Sequence, residues 1–224
     1  MEVDGILVAA QELKEPLATL RQLALSFDEM NAQDEKIREK MVNVSERAIK
    51  QINDLMKLRR LEDGLFEMEP VAIRSVCDEV TRELKYLFDV NRRDLFIKYS
   101  NRASLVVANR ELLKSVIWNF LLNAVHYSGD GVRSELIVGE NSDKVKVMIR
   151  DFGPALPMDV WREMKRGFIE KPTSIAMRPG SSGLGLFIAS RFSRYMHANV
   201  GAVRHRDGTS FYVELMKSGQ ARLF

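Results

Sequence analysis

Asn119 and Asn123 stand one helical turn apart in an otherwise apolar run that continues through Phe120, Leu121, Leu122, Ala124 and Val125 to His126. Side-chain amides on an apolar helix need partners, because a buried polar group left unsatisfied costs about 1–3 kcal/mol. The pair either closes internal hydrogen bonds or offers oxygen to a hard cation such as Mg2+, which takes few protein oxygens alongside substrate phosphates. A second piece, Asp151, Phe152, Gly153, Pro154 and Ala155, follows a strand-like run. Its carboxylate is either an ordinary turn residue or an acceptor for an exocyclic purine amine, with Gly153 allowing close backbone approach. A third runs from Gly180 through Ser181, Ser182, Gly183, Leu184 and Gly185 into a helix-like segment. Such a turn either merely starts a helix or presents free N–H groups and the helix dipole to phosphate. The fourth, Gly208 and Thr209, is a hairpin turn or a further wall of the same site.

The elements that must position these residues fall into two textures. Ile6, Ala10, Leu13, Leu17, Leu20, Ala24 and Phe27 recur at heptad spacing, and after a break at Asn31 to Asp34 the same spacing resumes at Ile37, Met41, Val44, Ala48, Leu55 and Leu58, with Gln51 on the seam. This predicts two helices folded into an antiparallel hairpin. Leu23, Ile49, Ile52 and Met56 widen the apolar stripe beyond what one hairpin buries, which calls for a second copy and a homodimeric four-helix bundle. Glu62, Asp63 and Gly64 end the second helix, and Pro70 marks a linker. Beyond it the pattern predicts a helix over 71–90, strands over 95–100 and 105–108, and a buried helix over 111–127. Strands follow over 134–139 and 144–150, then a long loop or lid over 152–181, a helix over 184–196, and a closing hairpin over 200–204 and 210–216. Mixed helices and antiparallel hairpins predict an α+β sandwich rather than a doubly wound sheet. The expected division is a helical hairpin over 1–66 and an α/β sandwich over 67–224.

Composition narrows the class. Of 224 residues 46% are hydrophobic and 29% charged, as in a soluble globular chain rather than a disordered one. The single Cys77 excludes an intrachain disulfide and a cysteine-rich zinc site, and fits a reducing compartment and a place in the core. Residues 1–70 hold 10 Lys+Arg against 15 Asp+Glu, and residues 71–224 hold 24 against 16, so an acidic part precedes a basic one. A basic domain attracts polyphosphates, but no dense basic run with interleaved aromatics points to nucleic acid. The weakly polar stretch from Ser115 to Ser128 is too short to span a bilayer, and the start Met1-Glu2-Val3-Asp4 lacks the basic region of a secretory signal. The expectation is a cytoplasmic segment without membrane contact of its own, compatible with the cytosolic part of a larger or membrane-anchored protein.

Taken in order, the four pieces resemble the ATP-binding domain of sensor histidine kinases and related ATPases of the Bergerat-type fold, with its Asn-rich helix, Asp-x-Gly-x-Gly turn, Gly-x-Gly-Leu-Gly turn and final Gly-Thr. The resemblance implies ATP and Mg2+ as ligands. It implies that Asn123 ligates the metal with Asn119 in support, and that His126 stands where the family often has a phosphate-contacting Lys. Asp151 and Gly153 would face adenine, and Gly183, Leu184 and Gly185 would shape the phosphate-side turn. Phe168 and Lys171 would lie in the lid and Thr209 in the last wall. Ala155 replaces the family's second Gly. Gln11, Glu12, Leu13, Lys14, Glu15, Pro16 and Leu17 resemble the phosphotransfer box His-Glu-Leu-Lys/Arg-x-Pro-Leu, so the likeness spans roughly residues 6–217.

The departure that matters most is Gln11 at the phospho-acceptor position. A carboxamide nitrogen shares its lone pair with the carbonyl and is a poor nucleophile, and the three histidines are His126, His197 and His205, none of them in the hairpin. Glu12, the implied general base, has no imidazole to deprotonate, and Glu15 stands where the family often has Thr or Asn. The resemblance therefore implies a two-component signalling protein that binds Mg-ATP, dimerises and meets a response regulator or other receiver or phosphotransfer partner. The missing acceptor marks either a native pseudokinase or an engineered variant. The alternative is a non-catalytic dimeric adaptor that docks a receiver domain and uses nucleotide as a conformational ligand. An ATPase or serine kinase of the same fold is disfavoured by the phosphotransfer-like box.

Overall fold

The computed structural model describes residues 32–62, 64–100, 105–128, 132–155 and 184–219, with isolated helical positions at Leu13, Pro16, Thr19, Leu20, Leu23, Met158, Trp161 and Arg162. In chain order the elements are α1 (Ala32–Glu62), β1 (Glu69–Ala72), α2 (Ile73–Val90), β2 (Leu95–Tyr99), β3 (Leu105–Ala108), α3 (Arg110–Tyr127), β4 (Ser134–Glu140), β5 (Lys144–Asp151), α4 (Leu184–Tyr195), β6 (Asn199–His205) and β7 (Gly208–Met216). Five strands form one sheet in the order β2-β4-β5-β7-β6, parallel only between β2 and β4. This is the expected α+β arrangement.

The core follows from the apolar spacing. Ile73, Val76, Cys77, Val80, Leu84 and Phe88 of α2 are buried, as alternate residues Val145, Val147 and Ile149 of β5 and Phe211, Val213 and Leu215 of β7 are. Between helices and sheet lies α3, apolar almost all round, with Leu112, Leu113, Val116, Ile117, Phe120 and Leu121 fully buried. Each such side chain contributes about 1.5–3 kcal/mol. Phe120 stacks on Phe211 at 5.8 Å between ring centroids, fixing α3 over β7. Asn109 caps α3 by accepting from the Leu112 N–H at 3.2 Å.

Helix α1 ends as expected before Gly64, whose φ of +68° suits a helix stop. Ala48 is buried, and Ile37, Met41, Val44, Gln51, Leu55 and Leu58 are half-buried along the heptad seam. Ile49, Ile52 and Met56 are 58%, 43% and 63% exposed. The end of α1 is tied to α4: the Tyr195 hydroxyl donates to the Phe66 carbonyl at 3.0 Å, and the two rings meet edge to face.

Two expectations need correction. Ala32, Gln33 and Asp34, expected in a break, are helical. The Pro70 linker is a strand: β1 pairs antiparallel with β3, Pro70 opposite Val107, and α2 begins only at Ile73. Among the described residues β1 pairs with β3 alone, at the edge of a two-stranded sheet, so a proline without an N–H is tolerated there. The loop expected over 152–181 lies largely outside the described residues, as do most of the first helix and its residues Gln11 and Glu12. No helix among the described residues is long and apolar enough to cross a membrane.

Candidate functional site

Asp151 ends β5 and is 1% exposed. Its Oδ1 accepts from the backbone N–H of Gly153 at 3.2 Å and of Thr209 at 3.1 Å. The β5–β7 register sets Asp151 opposite Thr209, which is fully buried. Gly208 makes this possible: its φ is +136°, and a Cβ there would stand 2.1 Å from the Asp151 carbonyl oxygen. Two motifs far apart in sequence are thus one hydrogen-bonded corner, holding a buried carboxylate in a fixed orientation.

A second group of the motif residues lies on α3. Asn119 is 9% exposed and its amide donates to the Ser115 carbonyl at 2.8 Å and to Asp54 Oδ2 at 3.4 Å. Its Oδ1 faces the start of α4, where a Cβ added to Gly185 would lie 2.8 Å from it. The third motif therefore meets the first, and a glycine at 185 is a requirement of that close approach. One turn further along α3, the Asn123 Nδ2 is buried without a hydrogen-bond partner among the described residues. Leu184 is buried at the α4 start, Gly153 is half-buried, and His126 is exposed in the last turn of α3. Gln11, Glu12, Phe168, Lys171 and Gly183 lie outside the described residues.

Two features were not anticipated. On the turn beside Asp151, the guanidinium groups of Arg150 and Arg133 both lie over the Phe152 ring, at 4.5 and 5.0 Å from its centroid. Arg150 also donates to Asp207 at 2.6 Å, which holds the Asp207 carboxyl below the usual range. Burial first, and then the nearby Arg150, lowers His205 in the same cluster. The second is Asp54 on α1, 1% exposed and bonded to Ser115 and Lys50. A legible sign was Ser115 itself, a polar residue one turn before Asn119 on the same face of an apolar helix.

Comparison with known proteins bears on this arrangement. Residues 108–219 match the family described as histidine kinase-, DNA gyrase B-, and HSP90-like ATPases, which is half of the chain and includes Asn119, Asn123, Asp151, Gly185 and Thr209.

The chain belongs to this ATPase family.

Among its relatives, the sensor protein kinase PmrB of Pseudomonas aeruginosa is 26% identical over 217 residues, 92% of this chain and 43% of PmrB. The chain therefore spans less than half the length of that relative. The fold is shared with the Acinetobacter baumannii histidine kinase AdeS, with a TM-score of 0.65 and 15% identity over 93% of this chain and 98% of that one. It is shared also with histidine kinase ThkA in a complex with response regulator protein TrrA, with a TM-score of 0.66 and 17% identity over 94% of this chain and 60% of that one. A domain of this ATPase family binds ATP. The residues present fit that ligand: a buried carboxylate held by two backbone amides, and at Asn123, on the face that carries Asn119, a buried NH2 without a partner among the described residues, which suits a phosphate oxygen. Among the described residues no group of three His, Cys, Asp or Glu could hold a metal ion, so a cation at this site would rest on amide oxygen and nucleotide phosphates.

Proposed function

We propose that the chain is the dimerising, ATP-binding core of a sensor histidine kinase of two-component signalling, with its phospho-acceptor position occupied by Gln11. The observation that carries the nucleotide reading is the corner at Asp151. The Gly153 and Thr209 amides hold this buried carboxylate in place, and in this reading it would accept from the adenine amine. Asn123 would hold Mg2+ through its carbonyl oxygen, with Asn119 beside it, and bound Mg2+ would offset the charge of the phosphates. Gly183, Leu184 and Gly185 would bring backbone N–H groups and the α4 dipole to that phosphate end. Gly153, His126, Lys171 and Thr209 complete the proposed lining.

The division at residues 66 and 67 gives a helical hairpin followed by the ATP-binding domain. The exposed positions Ile49, Ile52 and Met56 on α1 support a homodimeric four-helix bundle, since such a stripe is covered by a second hairpin. The ThkA complex with TrrA supports a response regulator as partner. With Gln11 in the acceptor place the hairpin offers no imidazole, so the proposed role is nucleotide-dependent regulation rather than phosphate relay.

The test is calorimetric titration of the chain with ATP, with and without Mg2+. Saturable binding that tightens with Mg2+ is expected. A folded protein that binds neither ATP nor ADP overturns the reading and leaves a scaffold.

A further inference from the structure

The face between α1 and α3 buries charge. Asp54 Oδ1 accepts from the Lys50 ammonium at 2.6 Å and from the Ser115 hydroxyl at 2.9 Å. Lys50 and Lys57 also donate to the Ser115 oxygen, at 3.1 and 3.2 Å, and Lys57 stands 3.9 Å from Asp54. Burial pushes the Lys50 ammonium below the usual lysine range despite Asp54. Replacing such a buried pair by apolar side chains is often neutral or stabilising, so packing alone gives no reason for a carboxylate here. What sets Asp54 apart is its other oxygen, which faces the Asn119 amide at 3.4 Å.

An amide has a donating end and an accepting end. A carboxylate only accepts, and so does the Ser115 carbonyl at 2.8 Å, so the end of Asn119 between them is the NH2. The carbonyl oxygen then points the other way, toward Gly185 at the start of α4. A carbonyl oxygen suits a hard cation or its water, whereas an NH2 group does not.

We propose, resting on the ATP-site reading above, that Asp54 is a positioning residue for the nucleotide site, holding the NH2 of Asn119 from α1 and so turning its oxygen toward Gly185 at the start of α4. The site is then completed by the helix that precedes the ATPase domain. Docking of α1 and binding of Mg-nucleotide favour each other, and by linkage each raises the other's affinity equally.

The experiment is ATP titration with and without Mg2+ on five proteins: the parent, Asp54→Asn, Lys50→Met combined with Asp54→Leu, Asn119→Ala, and the last three substitutions together. Thermal melts check folding, and Asp54→Ala is the second variant should the paired substitution not fold. The paired substitution removes the acceptor without stranding Lys50, and should reduce the gain in affinity from Mg2+ by about three- to tenfold. Asp54→Asn keeps one acceptor oxygen, which Lys50 and Ser115 claim, and turns an NH2 toward the Asn119 NH2, so it should lose the gain as the paired variant does. In the Asn119→Ala background, loss of Asp54 should add nothing, because the effect passes through Asn119. An unchanged or larger Mg2+ gain in the folded paired variant overturns the proposal, as does an equal further loss on top of Asn119→Ala. A parent that binds no ATP overturns this proposal and the ATP-site reading together, whereas a parent that binds normally and is indifferent to Asp54 overturns this proposal alone.

Discussion

Gly185→Ala adds one methyl group where α4 meets Asn119. The new Cβ would stand 2.8 Å from Asn119 Oδ1, closer than real Cβ atoms approach a heavy atom, and 3.5 Å from its Cγ. Asn119 cannot swing clear freely, since its amide donates to Ser115 and Asp54. Overpacking of this kind costs about 1–3 kcal/mol. Alanine is at the same time a better helix residue than glycine by up to about 1 kcal/mol, so the net loss of stability is about 0–3 kcal/mol. An effect on ligand is expected too, because the displaced group is the amide oxygen at the proposed phosphate end, and ATP should weaken about tenfold or more. Gly139→Ala is the matched control. It lies in β4, a Cβ there meets nothing within 4 Å, and it should leave ATP affinity unchanged and stability equal or raised by up to about 1 kcal/mol. Denaturant unfolding and calorimetry on the two variants read both quantities. Equal ATP affinity in Gly185→Ala and Gly139→Ala would refute the link between the α4 turn, Asn119 and the nucleotide.

Three further outcomes are expected. Glu79 bridges α2 to α3 by accepting from Lys114 at 2.7 Å and Arg110 at 2.6 Å, and the Lys114 bond in particular holds its carboxyl below 4.5. Its stabilisation is therefore full above that value and is lost as acidification passes the lowered pKa. For pairs this exposed it amounts to at most about 1 kcal/mol, and Glu79→Gln should flatten the acid limb of stability by that amount, with an unaltered limb counting against the pairing. Burial pushes the Cys77 thiol up to about 12, so a thiol reagent at neutral pH should label it only as the chain unfolds; rapid labelling of the native protein would contradict its place in the core. With Gln11 in place, incubation with labelled Mg-ATP should give no acid-labile phosphate. Gln11→His returns an imidazole beside Glu12 and should yield such label if the remaining machinery is intact, and label on the unaltered chain would mean that another residue accepts phosphate.

The regular elements were legible because burial repeats with the period of each element. The α2 residues Ile73, Val76, Val80 and Leu84 and the β5 residues Val145, Val147 and Ile149 announce their faces in sequence. Strand β1 was not legible. It is four residues long, contains Pro70 and pairs only with β3, so neither alternation nor propensity marks it. In the site, each motif was visible by residue type, but contact was not. Asp151 and Thr209 are separated by 58 positions and Asp54 and Ser115 by 61, and no local pattern states which distant residues meet. Asp54 was the least visible, since a carboxylate beside a heptad seam reads as solvated until the facing helix is known. Gly185 and Gly208 read as turn formers, whereas their roles are to admit Asn119 and the Asp151 backbone.

The central claim, that Asp151 reads the nucleotide base in an ATP site, is tested most directly by the ratio of ATP affinity to inosine triphosphate affinity in the parent and in Asp151→Asn. The substitution keeps an oxygen for the Gly153 and Thr209 amides but replaces the acceptor proposed to read adenine with an NH2 donor. The two nucleotides differ at the purine 6-position, an amine in one and a carbonyl in the other. The parent should prefer ATP, and Asp151→Asn should weaken ATP about 10- to 100-fold while improving the 6-carbonyl nucleotide relative to it. An affinity ratio that stays the same in a folded Asp151→Asn protein would contradict the assignment.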